Sequence, residues 1–469
     1  MNLKFLLFML LSLCLIPVHA QTEVFLGSWE GPLNAGGTSI RIVFHIGKAA
    51  DGGWKASMDS PDQGAKGFPV ETIVITEDSL NLSLMGGAIQ YEGVKEGDQI
   101  MGTFTQGGQD FGLNLRLQTA ERGPDRPQTP QAPFPYKITE LVIRHEAAGL
   151  DLAGTLTVPQ SEGPHPLAIL LTGSGQQDRN STIMEHQPFW VIADHLSRNG
   201  IAVWRMDDRG VGGSGGNPGL STTADFAADA IAALSALKGR PEIDAERIGL
   251  IGHSEGGMIA QIAAANQPDV AFVILLASPG VAGRQLLGSQ ESILLKNLGI
   301  NQTTLDKWKP IREKVYDIAI KGDDPRTAWE EMEKMLNQEL TVFSPEEMRQ
   351  LGLSPSNLQG KFLPLLSPWY RYFLAFSPDQ YLPKIHAPVL ALNGEKDQQV
   401  PATENLAALG EGLSAGGNTQ VELKPLPNLN HLFQNAPTGS PTEYGSISET
   451  FAPTALEEMM DWLKRQMLK

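Results

Sequence analysis

The chain has few cysteines and a deficit of basic residues, and both shortages narrow its possible functions. Its single cysteine, Cys14, lies in the apolar N-terminal stretch, so the remainder offers no thiols for a disulfide framework. Lysine and arginine number 36 against 53 aspartates and glutamates, and the formal net charge of −17 argues against nucleic acid or an anionic membrane as partner. The 469 residues are 41% hydrophobic and 19% charged, which is typical of a globular protein with two or three domains.

Residues 1–20 have the composition of a secretory signal peptide. Lys4 supplies the positive start, residues 5–16 form the apolar segment, and residues 18–20 end in a cleavage site of the small-residue type. Leu13 precedes Cys14 where a lipoprotein would need a small residue. The apolar stretch is too short to span a membrane, and no other run in the sequence is long enough. We therefore expect a secreted or periplasmic protein with no membrane insertion.

A proline-rich segment divides the chain after the signal peptide. Residues 21–121 contain short alternating apolar runs between glycine turns, which predicts a small all-β barrel or sandwich domain. Residues 122–136 contain five prolines and predict a semi-rigid linker. From 137 to 469 apolar strand runs alternate with helical patterns, which predicts an α/β domain with a mostly parallel sheet covered on both faces. A helical stretch at about 283–383 interrupts that rhythm and predicts an insertion.

The most informative motif is the pentapeptide Gly252-His253-Ser254-Glu255-Gly256. A short apolar run precedes it and a helical pattern follows, so it has the sequence form of a nucleophile elbow, a sharp turn from strand to helix. Glycine is required at both flanks because a Cβ atom there would collide with the neighbouring strand and helix. The motif predicts Ser254 as a catalytic nucleophile.

Two downstream segments offer the partners that a nucleophilic serine needs. An imidazole must take the serine proton, and a carboxylate must orient that imidazole. Asp397 follows a buried-strand pattern and a polar turn, with Glu395 as the alternative acid, and His431 lies in the loop after the next predicted strand. The predicted triad is therefore Ser254, Asp397 and His431 in that chain order.

An earlier glycine-rich loop supplies candidates for an oxyanion hole. The loop Thr172-Gly173-Ser174-Gly175 follows the apolar run 167–171. A tetrahedral intermediate needs two backbone N–H donors, and we predict the amide after the nucleophile, on Glu255, together with that of Ser174 or of the adjacent Gly175. The segment Asp208-Arg209-Gly210, after another strand pattern, is expected to shape the loop beneath the site, and a direct catalytic role for Asp208 is the alternative.

Three motifs, at 172–179, 208–214 and 252–257, together resemble the α/β-hydrolase superfamily. More narrowly, the chain resembles secreted bacterial serine esterases with an extra N-terminal β domain, relatives of dienelactone-hydrolase and prolyl-oligopeptidase-type catalytic domains. The resemblance implies an α/β-hydrolase fold with a cap at 283–383. It also implies hydrolysis of small-molecule esters through an acyl-enzyme, with no metal and no organic cofactor. Thr172 departs from the family's His-Gly form of the oxyanion loop.

Two other functions compete with the esterase interpretation. A serine peptidase of the prolyl-oligopeptidase type would use the same triad, but those enzymes usually carry a large propeller, which about 100 N-terminal residues cannot form. A non-catalytic binding protein on a hydrolase fold is the second alternative, and the intact serine, aspartate and histidine argue against it. The N-terminal β domain is the candidate binding or docking module.

Overall fold

The computed structural model divides the chain into two compact units, with the boundary between Asp125 and Arg126. The residues it describes are 23–35, 38–49, 52–61, 65–106, 108–118, 126–322 and 324–467. The predicted signal peptide at 1–20, with Cys14, lies outside these residues, as does the start of the predicted linker at 122–125. Within the described ranges, no helix combines the length and the apolar character needed to cross a membrane.

The first unit is a single curled antiparallel sheet. Its strands are β1 (Gly27–Ala35), β2 (Thr38–Lys48), β3 (Trp54–Ser60), β4 (Ala65–Pro69), β5 (Thr72–Ile75), β6 (Ser79–Leu84), β7 (Ile89–Glu96), β8 (Gln99–Gln106), β9 (Gln109–Gly112) and β10 (Leu115–Leu117). They are ordered β4-β3-β2-β1-β10-β8-β7-β6-β5, with β9 paired to β8. Large side chains that alternate along the strands, among them Trp29, Phe44 and Tyr91, fill one buried core. The predicted all-β domain is confirmed.

The second unit contains an eight-stranded mixed sheet. Its strands are β11 (Tyr136–His145), β12 (Leu150–Pro159), β13 (His165–Leu171), β14 (Ala202–Met206), β15 (Ile243–His253), β16 (Val273–Leu276), β17 (Val389–Gly394) and β18 (Val421–Leu426). The order is β11-β12-β14-β13-β15-β16-β17-β18. β12 runs antiparallel to both of its neighbours, and every pairing from β14 through β18 is parallel. The carboxyl ends of the parallel strands therefore meet at one edge of the sheet.

The second unit also contains α-helices, some of which cover the two faces of this sheet. They are α1 (Pro188–Arg198), α2 (Thr223–Leu237), α3 (Glu255–Asn266), α4 (Gly283–Asn297), α5 (Gln302–Lys321), α6 (Pro325–Glu339), α7 (Pro345–Gln350), α8 (Leu358–Phe362), α9 (Pro368–Ala375), α10 (Ala402–Ala415) and α11 (Pro453–Met467). α2, α3 and α10 share one core with side chains such as Ile169 and Leu250. α1 and α11 pack on the other face, against Leu170 and Ile251. Neighbouring strand residues face opposite sides, so the sheet is apolar throughout.

The helices α4 to α9 form an insertion between β16 and β17. Much of it packs around a separate apolar core that includes Trp308, Ile311 and Met332. The alternation of strands and helices therefore resumes only at Val389. The predicted fold class, an α/β-hydrolase fold preceded by a small β domain, is confirmed.

Part of the segment predicted as a linker packs within the second unit. The Arg126 guanidinium donates hydrogen bonds to the carbonyls of Met184, Gly445 and Ile447 at 2.8–2.9 Å. The Gln128 side-chain amide donates to the Phe451 carbonyl at 2.7 Å, and its oxygen accepts from the backbone of the same residue at 3.0 Å. Except for the bond to Met184, which spans 58 positions, these bonds tie the start of the unit to residues more than 300 positions away.

Candidate active site

Ser254 lies at a strained turn between strand β15 and helix α3. Its φ of 56° and ψ of −121° are values that residues with a side chain rarely adopt. A Cβ atom on Gly252 would lie 2.1 Å from the Gly256 carbonyl oxygen, and one on Gly256 would lie 2.0 Å from that of Leu171. Both flanking positions therefore accept glycine alone, which is the steric requirement of a nucleophile elbow.

Asp397 and His431 form a hydrogen-bonded pair in the loops after β17 and β18. The separation of His431 Nδ1 from Asp397 Oδ2 is 2.7 Å, and both side chains are buried. Asp397 Oδ1 accepts the backbone N–H groups of Gln399 at 2.8 Å and Val400 at 2.9 Å. A carboxylate flanked by two amides can only accept from the ring, so Nδ1 carries the proton and Nε2 has a free lone pair.

Glu395, the alternative acid in the sequence, lies on the outside of the same turn. Its side chain is exposed, whereas the Asp397 carboxylate has no solvent-accessible surface. The two residues diverge because Asp397 N–H turns back to the Gly394 carbonyl at 3.1 Å, while Glu395 N–H pairs with Leu426 on β18. Of the two acids, Asp397 is the one that is hydrogen-bonded to His431.

His253 connects the elbow to the histidine loop, a contact that sequence reasoning missed. Its Nε2 lies 2.8 Å from the His431 carbonyl oxygen, and the two rings have centroids 4.8 Å apart. Burial is the main cause that lowers the pKa of His253 to about 4, and a positive charge on the adjacent His431 ring would act in the same direction. Among the described residues Ser254 Oγ makes no hydrogen bond to His431, a bond that often tightens only when substrate binds.

The loop after β13 passes directly beside the serine. A Cβ on Gly173 would lie 3.3 Å from Ser254 Cβ. Asp208 holds the loop from below, because its carboxylate accepts from Thr172 Oγ1 at 2.6 Å and from the Gln177 amide at 2.9 Å. Burial raises the pKa of Asp208 to about 7 against the opposing effect of these two bonds. Ser174, within this loop, is exposed to solvent.

The side chain of Glu255 folds beneath the elbow, whereas the sequence had suggested a role only for its amide. It is 2% exposed. Its Oε1 accepts from Thr223 Oγ1 at 2.7 Å and from Trp369 Nε1 at 2.8 Å. Burial raises the pKa of Glu255, and these hydrogen bonds oppose the rise. A GxSxG pattern carries no signal for such contacts, because the partners lie on two other segments.

A second Ser-His-Asp chain occurs on the outer face of the β domain. Ser28 Oγ lies 2.7 Å from His45 Nδ1, and His45 Nε2 lies 3.0 Å from Asp59 Oδ2. Ser28 lies within the regular strand β1, where backbone amides form the hydrogen bonds of the sheet and do not converge on an oxyanion.

Among the described residues, no group of three or more His, Cys, Asp or Glu side chains is arranged to hold a metal ion.

A match to a known protein family spans the elbow and most of the helical insertion. The family model described as serine aminopeptidase, S33, matches residues 185–362. Esterase EstD of Thermotoga maritima is 30% identical over 174 residues, 37% of this chain and 41% of the esterase. An uncharacterised protein of Mycobacterium tuberculosis is 32% identical over 133 residues, 28% of this chain and 43% of that protein. The chain thus spans about two fifths of the length of these curated relatives.

Solved structures with similar backbones include two hydrolases. The α/β hydrolase GrgF from Penicillium sp. sh18 is 19% identical, with a TM-score of 0.44, over 72% of this chain and all of that one. The Pyrococcus furiosus esterase Pf2001 is 17% identical, with a TM-score of 0.43, over 74% of this chain and 99% of that one. The chain has the elbow and the strand order of the α/β-hydrolase fold. Its resemblance to the serine esterases is confirmed.

Proposed function

We propose that the protein is a serine hydrolase that cleaves carboxylic esters through an acyl-enzyme intermediate. The observation that carries the proposal is the meeting, at one edge of the sheet, of the strained Ser254 turn with the hydrogen-bonded pair of Asp397 and His431. A strained backbone persists only where the surrounding structure enforces it, and such strain concentrates at functional sites. The pair supplies the base that a serine hydroxyl needs to become a nucleophile.

The proposed reaction has two halves, acylation and deacylation, and the same groups act in both. Ser254 Oγ bonds to the acyl carbon while His431 Nε2 takes the hydroxyl proton, and that proton passes to the departing alcohol as its C–O bond breaks. Water then attacks the acyl-enzyme with the same histidine as base, which releases the acid and restores Ser254. Asp397 keeps the proton on Nδ1, and the amides of Glu255 and of Ser174 or Gly175 hold the oxyanion.

A serine aminopeptidase is the second candidate. The description of the family model that matches residues 185–362 favours it, while the similarity to an esterase favours the first. The same triad would serve either reaction, so substrate preference must separate them. Nitrophenyl esters of graded acyl length should be compared with aminoacyl and prolyl nitroanilides, each rate taken relative to that of the Ser254→Ala variant.

We expect saturable turnover of at least one ester series and none of the anilides above the Ser254→Ala background. A larger enhancement on the anilides would replace the esterase assignment with the peptidase. Turnover of neither class, in a protein whose melting curve shows it to be folded, would favour a binding protein on a hydrolase fold.

The proposal includes export and a docking role for the β domain. Export rests on the composition of residues 1–20 alone, and it predicts that the mature protein recovered from the periplasm or medium begins at Gln21. N-terminal sequencing of that fraction tests it, and an intact Met1 would contradict it. The docking role predicts that deletion of the β domain impairs large substrates more than small soluble esters.

A further inference from the structure

The loop that carries His431 closes on itself, and part of its backbone is strained. The Asn430 side-chain oxygen accepts the N–H groups of Leu432 at 3.0 Å and Gln434 at 2.9 Å, and the Asn430 N–H donates to the Gln434 carbonyl at 3.0 Å. Phe433 has a φ of +61°, in the left-handed region that a residue with a side chain rarely adopts. Such a turn persists only where contacts from outside enforce it.

The side chain of Gln434 makes such contacts. Its Oε1 accepts from Asn430 Nδ2 at 2.9 Å, and its Nε2 donates at 3.0 Å to the carbonyl of Glu449. Glu449 belongs to residues 444–452, the backing segment, which precedes helix α11. Because Asn430 Oδ1 already accepts two N–H groups, its NH₂ group faces Gln434, which must present its oxygen there. The Gln434 NH₂ group therefore points away from the loop, with His186 Nε2 at 3.0 Å as its second neighbour.

The orientation of this NH₂ group also determines the tautomer of His186, which is 1% exposed. An NH₂ donor directed at Nε2 requires a lone pair on that nitrogen, so the ring proton lies on Nδ1 and is donated to Thr450 Oγ1 at 2.8 Å. The Tyr444 carbonyl oxygen is also 3.0 Å from Nε2. A proton on Nε2 would bond to that carbonyl and break the contact with Gln434. Burial and the positive charge of Arg126 lower the pKa of His186 to about 4, which keeps the ring neutral at neutral pH.

The backing segment also contacts the loop of the triad acid. Tyr444 Oη accepts from Gln399 Nε2 at 2.7 Å, and the Gln399 N–H is one of the two amides that bind Asp397 Oδ1. Near the other end of the segment, the Phe451 ring stacks on that of Phe433, with centroids 5.1 Å apart. One segment therefore contacts both loops of the hydrogen-bonded acid and histidine.

We propose that Gln434 is a positioning residue that, with His186 and the backing segment, fixes the loop so that the His431 ring faces Ser254. The inference rests on the proposed hydrolase function and goes beyond the triad. His431 must bring Nε2 to about 3 Å from the serine hydroxyl, and a displacement of about 1 Å can lower the rate about 100-fold. The His431 carbonyl also accepts from His253 at 2.8 Å. The loop is thus bonded to the elbow through His253 and to the backing segment through Gln434.

Gln434→Leu is the direct test, because leucine has similar bulk and removes all the polar contacts of this side chain. We expect kcat on a small nitrophenyl ester to fall about 10- to 100-fold. KM should change less than about threefold, because the loop acts on the base and not on substrate binding. The rate of fluorophosphonate labelling of Ser254 should fall by the same factor, since that reaction needs the same proton transfer.

Gln261→Leu is the matched control. Gln261 is also a fully buried glutamine, and its amide donates to the Ser278 hydroxyl at 3.1 Å and to the Pro279 carbonyl at 2.8 Å. These contacts lie in the connection after β16 and not in the His431 loop. Gln261→Leu should therefore lower the melting temperature and leave kcat within about threefold of wild type. A purely structural role for Gln434 would give the same pattern in Gln434→Leu.

A pair of substitutions at Thr450 tests the contact through His186 without altering the His431 loop. Thr450→Val keeps the shape of the side chain but removes the acceptor of the Nδ1 proton. The proton then favours Nε2, where the Tyr444 carbonyl accepts it, and the bond to Gln434 is lost. We expect kcat to fall about three- to tenfold in Thr450→Val and to stay within about twofold in Thr450→Ser, which keeps the hydroxyl. Adding Thr450→Val to Gln434→Leu should cost nothing further, since the shared contact is already gone.

The outcomes separate the inference from the proposed function. A kcat in Gln434→Leu within about threefold of wild type, or equal losses in Gln434→Leu and Gln261→Leu, would overturn the inference. If Gln434→Leu fails to fold, the Thr450 pair decides, because equal kcat values in Thr450→Val and Thr450→Ser would also overturn it. A folded wild-type protein inactive on every ester and anilide would instead defeat the proposed function, and the inference with it.

Discussion

Replacing Asp397 with asparagine should disable the site through the tautomer of His431. The Oδ1 side of this carboxylate faces two backbone N–H groups, at 2.8 and 2.9 Å, so the amide oxygen of asparagine must occupy that position. The side-chain NH₂ of the asparagine then takes the place of Oδ2, which lies 2.7 Å from His431 Nδ1 in the wild-type protein. Nδ1 must become the acceptor, which moves the ring proton to Nε2 and removes the lone pair that should deprotonate Ser254.

The opposite orientation of the asparagine side-chain amide is also energetically unfavourable. It would restore the ring contact but place NH₂ against both backbone amides, and leaving two buried donors unsatisfied costs about 2–6 kcal/mol. Either way we expect kcat/KM to fall by three to four decades, about 4–5.5 kcal/mol in barrier at 1.36 kcal/mol per decade. The assay is initial-rate hydrolysis of a small nitrophenyl ester, with melting temperature as the check on folding.

The matched control is Glu395→Gln, which removes a carboxylate from the same turn. Glu395 is exposed, so this variant should stay within about threefold of wild type. Loss of activity in Glu395→Gln together with retention in Asp397→Asn would show that the structure-based choice of acid, and with it the tautomer argument, is wrong.

Three further predictions concern stability, domain independence and metals. Asp208, whose pKa rises from 3.8 to about 7, binds more protons folded than unfolded, so its contribution to stability should fall as pH rises from about 4 to 7. The free energy of unfolding of Asp208→Asn, measured by urea denaturation at a series of pH values, should not show this decline. The same pH dependence in Asp208→Asn and in the wild type would refute the prediction. A chain starting at Arg126 should keep kcat on a small ester within about tenfold of the full chain, whereas one starting at Tyr136 should melt lower because it lacks the Arg126 and Gln128 bonds. EDTA should leave ester turnover unchanged, and inhibition reversed by zinc would contradict the proposed mechanism.

Most of the fold was predictable because its elements carry strong local signals. Continuous apolar runs such as Leu167–Leu171 can be buried on both faces only in a covered sheet, and the GxSxG motif fixes where strand β15 must turn into helix α3. The choice between Asp397 and Glu395 was harder, because both follow the same strand in one polar turn. Only the path of the backbone after Gly394 separates a buried carboxylate from an exposed one.

The contacts of Glu255 could not be predicted from the sequence. Its hydrogen bond to Trp369 spans 114 positions and joins the elbow to a helix of the cap insertion. Hydrophobic periodicity reports which face of a helix is buried, but it does not report which polar partner a buried acid finds. The same limit applies to His253, whose ring meets the His431 loop 178 residues away.

Covalent labelling can establish whether Ser254 is the nucleophile. The full chain should be treated with a limiting fluorophosphonate, and the modified residue mapped by peptide mass spectrometry alongside residual ester turnover. We predict one phosphonyl group per chain on Ser254, loss of turnover in proportion to labelling, and no label in Ser254→Ala. Inactivating label on another serine, such as Ser28 beside His45, would contradict it.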